Sequence, residues 1–464
     1  MEPIKVKEFI SEIDGELING SLETKIDEVS IDSRTIDKGA LFFAIKGERF
    51  DGHNFINDAL AAGAIGVVIE INEISEYSID SNILVIKVED TSKALQDLAK
   101  YYRSLFDIPV IGVTGSTGKT TTKDLIASVL EVKFKTLKTE GNYNNEFGLP
   151  LTLFRLDSSY EVVVVELAMR GLGEIEYLCQ IAQPEIGVIT NVGVTHLETL
   201  GSQENIARAK SELVMSLPPE GKALLNGDDD YIRMMANKAE AEIVYYGCGN
   251  DNDLEAIKIE NLGADGLSFI VNQQSRKFEV RLPLPGEYNV YNSLAAIGVG
   301  LELGLSIDEL KSGLAQPNLT KMRGDITELD SGITIINDAY NANPTSMEAG
   351  LNLLVNIGNK KGRLIAVLGD MLELGSIAEI AHRRIAKIVV DNNIDYLLTV
   401  GELSALIGEE AKQLGLAEEY VFSYSTNQEI IDQLLQLVDT SDTILLKGSR
   451  GMKLEEIEEA LLEG

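Results

Sequence analysis

A short buried strand that turns into a glycine-rich loop and then a helix limits the possible folds of this sequence more than any other feature. The run Pro109-Val110-Ile111-Gly112-Val113 is apolar, as in a strand covered on both faces of a parallel sheet. It continues into Thr114-Gly115-Ser116-Thr117-Gly118-Lys119-Thr120 and then a helical pattern. This arrangement directs backbone N–H groups and a helix N-terminus toward a phosphate chain. The sequence therefore predicts a nucleotide-binding α/β domain.

Two side chains of this loop have predicted roles. Lys119 would neutralise the β and γ oxygens of the nucleotide, and the Thr120 hydroxyl is placed to bind Mg²⁺. The common loop pattern has glycine at position 113, whereas this chain has Val113 preceded by Gly112. A turn with a purely packing role is the alternative, but Gly-Lys-Thr after a buried strand favours nucleotide binding. The loop does not define the reaction, because kinases, GTPases and ligases share it.

Strand patterns divide the 464 residues into three predicted domains, 1–104, 105–318 and 319–464. The first is predicted to be a small α/β domain, the second a P-loop ATPase-like domain with a mainly parallel sheet, and the third a Rossmann-like doubly wound domain. The apolar runs that mark their other strands are 40–45 and 64–69, then 162–165, 186–189 and 223–225, then 333–336, 364–368, 396–400 and 443–446.

Charge and composition limit the partners and the location of the chain. The formal net charge is −34 and no basic run occurs, so no nucleic-acid partner is expected. Cys179 and Cys248 are far apart, and we expect reduced thiols packed as small apolar residues. The sequence indicates neither a secretion signal nor a membrane-spanning stretch, so we expect a cytoplasmic protein without membrane insertion. A monomer is the working expectation, although the sequence does not determine the oligomeric state.

Two polar residues follow predicted strands of the central sheet. Glu166 comes directly after 162–165, and His196 lies in the loop after 186–189. Active sites of open α/β sheets gather at the carboxyl ends of their strands, so both residues are candidates for a Mg²⁺ site. The alternative for each is an ordinary polar loop residue. Lys210 lies on a predicted helix shortly afterwards, and its spacing alone predicts a solvated surface lysine.

Further motifs occur along nearly the whole chain. After Thr114–Thr120 they are Gly141-Asn142-Tyr143-Asn144-Asn145-Glu146-Phe147-Gly148-Leu149-Pro150, Thr190-Asn191-Val192-Gly193-Val194-Thr195-His196, Leu284-Pro285-Gly286 with Asn289 and Asn292, Asn337-Asp338-Ala339-Tyr340-Asn341-Ala342-Asn343-Pro344, and Lys447-Gly448-Ser449-Arg450. Their order resembles that of the Mur ligase family, the ATP-dependent amide ligases of peptidoglycan synthesis. Departures from the family pattern at Thr117 and Leu167-Ala168 remove no charged group that the family's mechanism requires, whereas Tyr288 stands where the family often has His and affects the adenine contact.

Within this family, the segment Tyr340 to Met347, the Lys447-Gly448-Ser449-Arg450 motif and Asn144-Asn145-Glu146 resemble the members that add D-alanyl-D-alanine to a UDP-N-acetylmuramoyl-tripeptide. Members that add the third residue usually carry Tyr-Ala-His and Lys-Gly-His forms instead. The resemblance thus implies three small-molecule substrates: ATP, the UDP-linked tripeptide and D-alanyl-D-alanine. It also implies an acyl-phosphate intermediate.

The resemblance implies roles for individual residues as well. Lys119, His196 and Lys210 would be catalytic, with Thr120 and Glu166 at one Mg²⁺ and His196 at a second, beside a carbamylated Lys210. The implied ATP-binding residues are Thr114, Gly115, Ser116, Thr117, Gly118, Lys119, Thr120, Thr121, Asn289, Asn292, Arg323 and Asp338. The implied substrate-binding residues are Ser33, Arg34, Asn144, Asn145, Tyr340, Asn341, Asn343, Lys447, Ser449 and Arg450.

Three other functions compete with this interpretation. A folylpolyglutamate synthetase-like ligase would share the loop and the metal site but lack the N-terminal uridine-binding unit. A non-enzymic ATP-binding switch would need the loop but not Glu166, His196 and Lys210 together. A simple kinase would leave 320–464 unexplained. The sequence leaves open whether the tripeptide ends in L-lysine or diaminopimelate, which other dipeptides are accepted, and whether the domains are open or closed.

Overall fold

The apolar and β-branched runs of the sequence form the strands of three large sheets, and helices cover those sheets. The computed structural model describes residues 1–47, 50–70, 83–273, 276–358 and 362–463. Most neighbouring strands are parallel, which confirms the predicted α/β class with three domains. The exact limits of the three domains stay a prediction.

The N-terminal sheet has the order β2-β7-β6-β5-β4, and only β2 runs antiparallel to its neighbour. The predicted runs 40–45 and 64–69 supply β5 and β6. The last helix of this part begins after Asp90, whose side chain accepts a hydrogen bond from the Lys93 amide at 2.9 Å. The elements are β1 (Ile4–Lys5), α1 (Val6–Phe9), β2 (Glu16–Asn19), β3 (Lys25–Ile26), β4 (Val29–Ser30), β5 (Leu41–Phe43), α2 (Ile56–Ala62), β6 (Gly66–Glu70), β7 (Leu84–Val88) and α3 (Thr91–Ser104).

The central sheet places the strand before the phosphate loop in its interior. Its order is β16-β15-β14-β13-β12-β11-β8-β10-β9, parallel from β9 to β14 and antiparallel beyond. The elements are β8 (Val110–Thr114), α4 (Lys119–Leu130), β9 (Thr136–Lys138), α5 (Gly148–Leu153), β10 (Val162–Glu166), α6 (Glu174–Ala182), β11 (Ile186–Ile189), α7 (Leu197–Leu200), α8 (Gln203–Met215), β12 (Lys222–Asn226), α9 (Asp230–Met235), β13 (Glu242–Gly247), β14 (Leu254–Asn261), β15 (Leu267–Gln273), β16 (Arg276–Leu282), α10 (Tyr288–Glu302) and α11 (Ile307–Ala315). The loops after β8, β10 and β11 therefore meet at one edge.

The C-terminal sheet has the order β17-β18-β22-β19-β20-β21, and only β17 is antiparallel to its neighbour. The four predicted runs became β18, β19, β20 and β22, whereas β17 and β21 are additional edge strands. The elements are β17 (Asp325–Glu328), β18 (Thr334–Asn337), α12 (Pro344–Ile357), β19 (Leu364–Gly369), α13 (Ala378–Asp391), β20 (Tyr396–Val400), α14 (Ala405–Gln413), β21 (Val421–Tyr424), α15 (Asn427–Leu437), β22 (Thr443–Lys447) and α16 (Glu455–Glu463).

Two compositional expectations concern thiols and membranes. Both cysteines are free thiols; Cys179 is buried, whereas Cys248 is only partly buried. Across the described ranges, the helices are too short or too polar to cross a bilayer.

Candidate nucleotide and metal site

The loop between β8 and α4 follows a path that two glycines permit. Gly118 precedes the helix with φ of 78°, and a Cβ added there would lie 2.9 Å from Oδ1 of Asn292. At Gly115, an added Cβ would lie 1.8 Å from Oγ1 of Thr190. Any side chain at either position would push the loop away from its neighbours. The glycines thus let the backbone turn tightly at the sheet edge.

The end of the neighbouring strand β11 holds this loop in place. The amide and the hydroxyl of Thr117 both donate to Oδ1 of Asn191, at 3.0 and 3.1 Å, and Nδ2 of Asn191 donates back to the Thr117 carbonyl at 3.0 Å. The Thr190 hydroxyl donates to the same carbonyl at 2.6 Å. The buried Ser116 hydroxyl has no hydrogen-bond partner within the described part of the chain. Hydrogen bonds from β11 therefore hold the loop, and the Ser116 hydroxyl is a polar group that a bound phosphate could satisfy.

Lys119 places a positive charge inside the loop. Its Nζ donates to the Gly115 carbonyl at 2.8 Å. Burial lowers the pKa of the Lys119 ammonium; the Glu166 carboxylate opposes this effect and the charge of Arg323 adds to it. A phosphate group would favour the charged form of this amine. The position suits binding of an anion.

Thr120 and Glu166 form a pair of oxygen donors at the sheet edge. The Thr120 hydroxyl donates to Oε2 of Glu166 at 2.9 Å, and Nδ2 of Asn144 donates to Oε1 at 2.8 Å. Both Thr120 and Glu166 are 3% exposed. A hydroxyl and a carboxylate are ligands that Mg²⁺ prefers, usually together with substrate phosphates. The donor set fits a Mg²⁺ site completed by a bound nucleotide.

Arg323 reaches this pair from the segment before the C-terminal sheet. Its Nη2 donates to the Thr120 hydroxyl at 2.9 Å, and its guanidinium lies 3.9 Å from the centre of the Tyr340 ring. The buried Nε of Arg323 has no hydrogen-bond partner within the residues the structure describes. The C-terminal part of the chain therefore contacts the phosphate loop and brings an unsatisfied donor to it.

His196 and Lys210 lie near Lys119. His196 has φ of 66°, and its Nδ1 is 3.6 Å from Oε2 of Glu373. Burial, and then the charges of Lys119 and Lys210, lower the pKa of His196 to about 4. A neutral imidazole at neutral pH is the form that binds metals.

Lys210 lies on the buried face of α8 and is only 1% exposed. The surface position that its spacing predicted is therefore wrong. Its ammonium makes no hydrogen bond or ion pair with any described residue, and burial together with the charge of Lys119 lowers its pKa well below the usual range. Both effects favour the neutral form of the amine over the charged form.

Asn289 and Asn292 lie at the start of α10, directly behind the loop. Oδ1 of Asn292 accepts from the Thr122 hydroxyl at 3.0 Å, and its Nδ2 donates to Asn289 at 3.0 Å. Nδ2 of Asn289 donates to the Pro285 carbonyl at 2.7 Å. Both amides are buried, and these bonds join α10 to the helix that starts in the loop. Thr114 and Thr121, which flank the loop, are buried as well.

The predicted C-terminal residues are joined mainly to one another. Nζ of Lys447 is 2.6 Å from Oδ2 of Asp338 and also donates to the carbonyls of Asp338 and Asn341, both at 3.2 Å. Asn343 accepts from the Ser346 amide as the N-cap of α12, and its Nδ2 donates to Thr195 of the central domain at 3.3 Å. These contacts place the segment 338–343 beside the His196 loop.

Four other predicted residues have local partners in the structure. Ser449 accepts a hydrogen bond from the Leu372 amide, and the exposed Arg450 pairs with Glu455 at 2.9 Å. Asn145 accepts from the Phe147 and Gly148 amides at the start of α5. The exposed Arg34 side chain pairs with Asp32 at 2.6 Å, and Ser33 beside it is partly buried. The described contacts do not join Ser33 and Arg34 to the phosphate loop.

Two residues near the site were not predicted from the sequence. Asn191 binds the loop backbone through its side chain, and Glu373 approaches His196. Asn191 follows the carboxyl end of the parallel strand β11, and Glu373 follows that of β19. Because active sites of open α/β sheets gather at this edge, their positions could have marked both residues as candidates.

Comparisons with known proteins agree with this geometry. Family models match residues 25–103 ("Mur ligase family, catalytic domain"), 113–300 ("Mur ligase middle domain") and 322–450 ("Mur ligase, glutamate ligase domain"). The chain is 38% identical over 459 residues to the UDP-N-acetylmuramoyl-tripeptide--D-alanyl-D-alanine ligase of Bacillus subtilis (strain 168), covering 99% of this chain and 98% of that protein.

Two solved structures are similar as well. A crystal structure of MurF from Acinetobacter baumannii superposes with a TM-score of 0.90 at 32% identity, over 100% of both chains. The MurF ligase from Thermotoga maritima in complex with ADP gives a TM-score of 0.82 at 27% identity, over 94% of this chain and 97% of that one. Because the similarity in sequence and fold extends over nearly the whole length, the chain belongs to the Mur ligase family.

Proposed function

We propose that this chain is an ATP-dependent ligase that joins D-alanyl-D-alanine to UDP-N-acetylmuramoyl-tripeptide and releases ADP and phosphate. The observation that carries the reaction class is the meeting of the phosphate loop, Glu166 and Arg323 at one sheet edge. The choice of substrates rests on the near full-length identity to relatives named for this reaction. The ADP complex of the Thermotoga maritima protein supports ATP as the nucleotide.

The first step activates a carboxylate, because a carboxylate carbon is a poor electrophile and does not react with an amine at neutral pH. The terminal carboxylate oxygen of the tripeptide attacks the γ-phosphorus of ATP, and the bond from that phosphorus to the ADP oxygen breaks. Negative charge spreads over the transferred group during this step. Lys119 and Arg323 supply positive charge at the loop where that group would lie.

The second step forms the amide. The free amine of D-alanyl-D-alanine attacks the carbonyl carbon of the acyl phosphate, the bond to the phosphate oxygen breaks, and the nitrogen releases a proton. Water would hydrolyse the same acyl phosphate. The contacts of Arg323 with Thr120 and of Asn343 with Thr195 bring the C-terminal domain against the site, which favours exclusion of water.

Thr120 and Glu166 would hold one Mg²⁺, and His196 a second. When bound, these ions offset the charge of the phosphate oxygens. Asn144 orients the Glu166 carboxylate from its other oxygen. In the structure, Nη2 of Arg323 donates a hydrogen bond to the Thr120 hydroxyl. We expect the Arg323 guanidinium to move to a phosphate oxygen when that hydroxyl binds a metal.

Lys210 would carry a carbamate in the active form. A neutral amine is required for reaction with CO₂, and burial together with the charge of Lys119 favours the neutral form here. The amine nitrogen forms a bond to the carbon of CO₂ and releases one proton, so the product is an anion that would pair with the positive charges around it. A carbamate made with ¹³C-labelled CO₂ would give a carbonyl resonance that Lys210→Met lacks, whether or not the enzyme turns over.

The remaining residues have proposed roles that follow their positions. Ser33 and Arg34 would meet the uridine nucleotide in the N-terminal domain, and Tyr340, Asn341 and the Lys447 motif would meet the peptide substrates. The domain limits, the cytoplasmic location and the monomeric state stay predictions from the sequence.

The test is phosphate release from ATP and Mg²⁺ with the full chain, adding the UDP-linked tripeptide and D-alanyl-D-alanine separately and then together. We expect release only with both, and a UDP-linked pentapeptide by mass spectrometry. Lys119→Met should abolish release, whereas Lys100→Met, at an exposed lysine, should not. Release with a folate and glutamate but not with the pair would keep the ligase scaffold and discard the proposed substrates.

A further inference from the structure

Helix α4, which begins in the phosphate loop, carries a line of polar side chains at four-residue spacing. Thr120, Asp124 and Ser128 are all buried and share one face of the helix, because residues four apart lie one above the other. Thr120 belongs to the loop itself. Asp124 and Ser128 have no role in the proposed chemistry.

The segment that leads from α11 to β17 contacts this line at each of its three positions. The Asn318 amide donates to the Ser128 hydroxyl at 2.9 Å, and the Thr320 amide donates to Oδ2 of Asp124 at 2.8 Å. Arg323 then donates to Thr120 at 2.9 Å. Residues 318 to 323 therefore run antiparallel to the helix, and each contact point matches one polar residue.

Two lysines and the Thr320 amide hold the Asp124 carboxylate in place. Its Oδ1 lies 3.0 Å from Nζ of Lys123 and 3.0 Å from Nζ of Lys138, while Lys138 also donates to the Asn318 carbonyl at 2.9 Å. Burial raises the pKa of Asp124, but the two lysines and the Thr320 amide outweigh it and hold that pKa below its usual range. The carboxylate thus stays charged at neutral pH, and the Thr320 amide joins it to residues 318–323, the linker between α11 and β17.

The spacing makes the position of Arg323 depend on this contact. Arg323 comes three positions after Thr320, and each residue of extended chain spans about 3.5 Å. If the linker shifted by one residue along Asp124, Arg323 would move by about 3.5 Å. This distance is too large for Arg323 to keep its hydrogen bond to Thr120. Misplacement of a positioning group by about 1 Å costs on the order of 10²-fold in rate.

We propose that Asp124 is a positioning residue of the ligase reaction, which fixes the linker on α4 so that Arg323 reaches the phosphate loop. Asp124 acts through Arg323 and does not contact the substrates. This inference rests on the proposed function. The alternative is that Asp124 only neutralises the buried Lys123 and the partly buried Lys138 of the central domain.

The test is a double-mutant cycle between Asp124→Asn and Arg323→Ala in the full-length enzyme. Asp124→Asn should lower kcat about 10- to 100-fold, with less than a twofold change in KM for the UDP-linked tripeptide. In the Arg323→Ala background the same change should lower kcat less than twofold, because the positioned group is already absent. Asp124→Glu should recover part of kcat.

Lys123→Met is the matched control, because it removes a buried charge of the same cluster but leaves the three linker contacts. It should lower the melting temperature with less than a threefold change in kcat. If Asp124→Asn does not fold, Ser128→Ala tests the other anchor of the linker, with an expected decrease in kcat of about threefold that Arg323→Ala likewise abolishes. Equal losses in both backgrounds would overturn the proposal.

The affinity for a non-hydrolysable ATP analogue with Mg²⁺, measured by calorimetry, separates this inference from the proposed function. We expect Asp124→Asn to weaken that affinity in the wild-type background and not in Arg323→Ala. Wild-type protein that binds the analogue but does not join the two peptide substrates would refute the substrate assignment only. An unchanged affinity together with unchanged kcat in Asp124→Asn would refute the positioning role.

Discussion

Lys210 in the central domain and Lys447 in the C-terminal domain are equally buried, each with 1% of its surface exposed, but their surroundings differ. Lys447 is held by the Asp338 carboxylate at 2.6 Å and by two backbone carbonyls. Lys210 has no such partner among the described residues, and Lys119 lies near enough to disfavour its charge. Burial removes both ammonium groups from water, and among the described residues only Lys447 has partners that compensate for this cost.

The difference separates two uses of a buried lysine. At Lys447 the chain itself completes the charge and the hydrogen bonds, so the lysine ties β22 to the segment after β18. At Lys210 none of the described residues supplies such a partner, which agrees with the carbamate proposed for this amine. Lys447 was predicted to bind substrate, and that role would require it to exchange a partner that it already has.

The largest expected effect is loss of activity with a gain of stability in Lys210→Met. Ligation should fall at least about 10²–10³-fold, because the change removes the amine that carries the proposed carbamate beside the proposed metal site. The melting temperature should rise in CO₂-free buffer, because a thioether fills the site without an unpaired amine. Ligation assays and thermal unfolding measure the two effects. Arg208→Met, at an exposed residue of the same helix, is the control and should change neither.

A smaller effect is expected from Lys447→Met, and it has the opposite sign for stability. The change leaves Asp338 and two carbonyls without their donor, which should cost about 1–3 kcal/mol in urea unfolding. Asp338→Asn in the same chain should recover part of this loss, because it removes the uncompensated charge. Additive losses in the double variant would mean that the two side chains are not coupled, and the contrast with Lys210 would then fail.

The sequence predicted the parts of the fold that depend on local patterns. Continuous apolar runs identified β8, β10, β11 and the inner strands of the C-terminal sheet. The edge strand β17, Asp325–Glu328, is partly exposed and polar at three of its four positions, so it has no continuous apolar run to identify it. Motifs pointed to Lys119, Thr120 and Glu166, and the structure brings all three to one sheet edge, while their roles stay predictions.

Contacts between distant segments could not be predicted in this way. The bond between Thr320 and Asp124 joins residues 196 apart, and Arg323 reaches Thr120 across 203 residues. Their existence depends on how two domains pack, which periodicity does not encode. The burial of Lys210 was missed for a related reason: a lysine at one position of a helix is normally solvated, and only the neighbouring elements determine that this one is covered.

The smallest expected effect is a difference in how stability depends on pH. Because the pKa of Lys210 is lowered in the folded chain, the unfolded chain binds more protons at every pH between that lowered value and the ordinary value of 10.5. The free energy of unfolding must then rise with pH across this window, by at most about 1.4 kcal/mol per pH unit from this one group. Urea unfolding of the wild type and of Lys210→Met from pH 7 to 9, in CO₂-free buffer, should give curves that converge as pH rises. Arg208→Met should keep the wild-type slope, since arginine does not titrate there. Parallel curves for Lys210→Met and the wild type would mean that Lys210 keeps its ordinary pKa, and the unpartnered amine would then no longer distinguish it from Lys447.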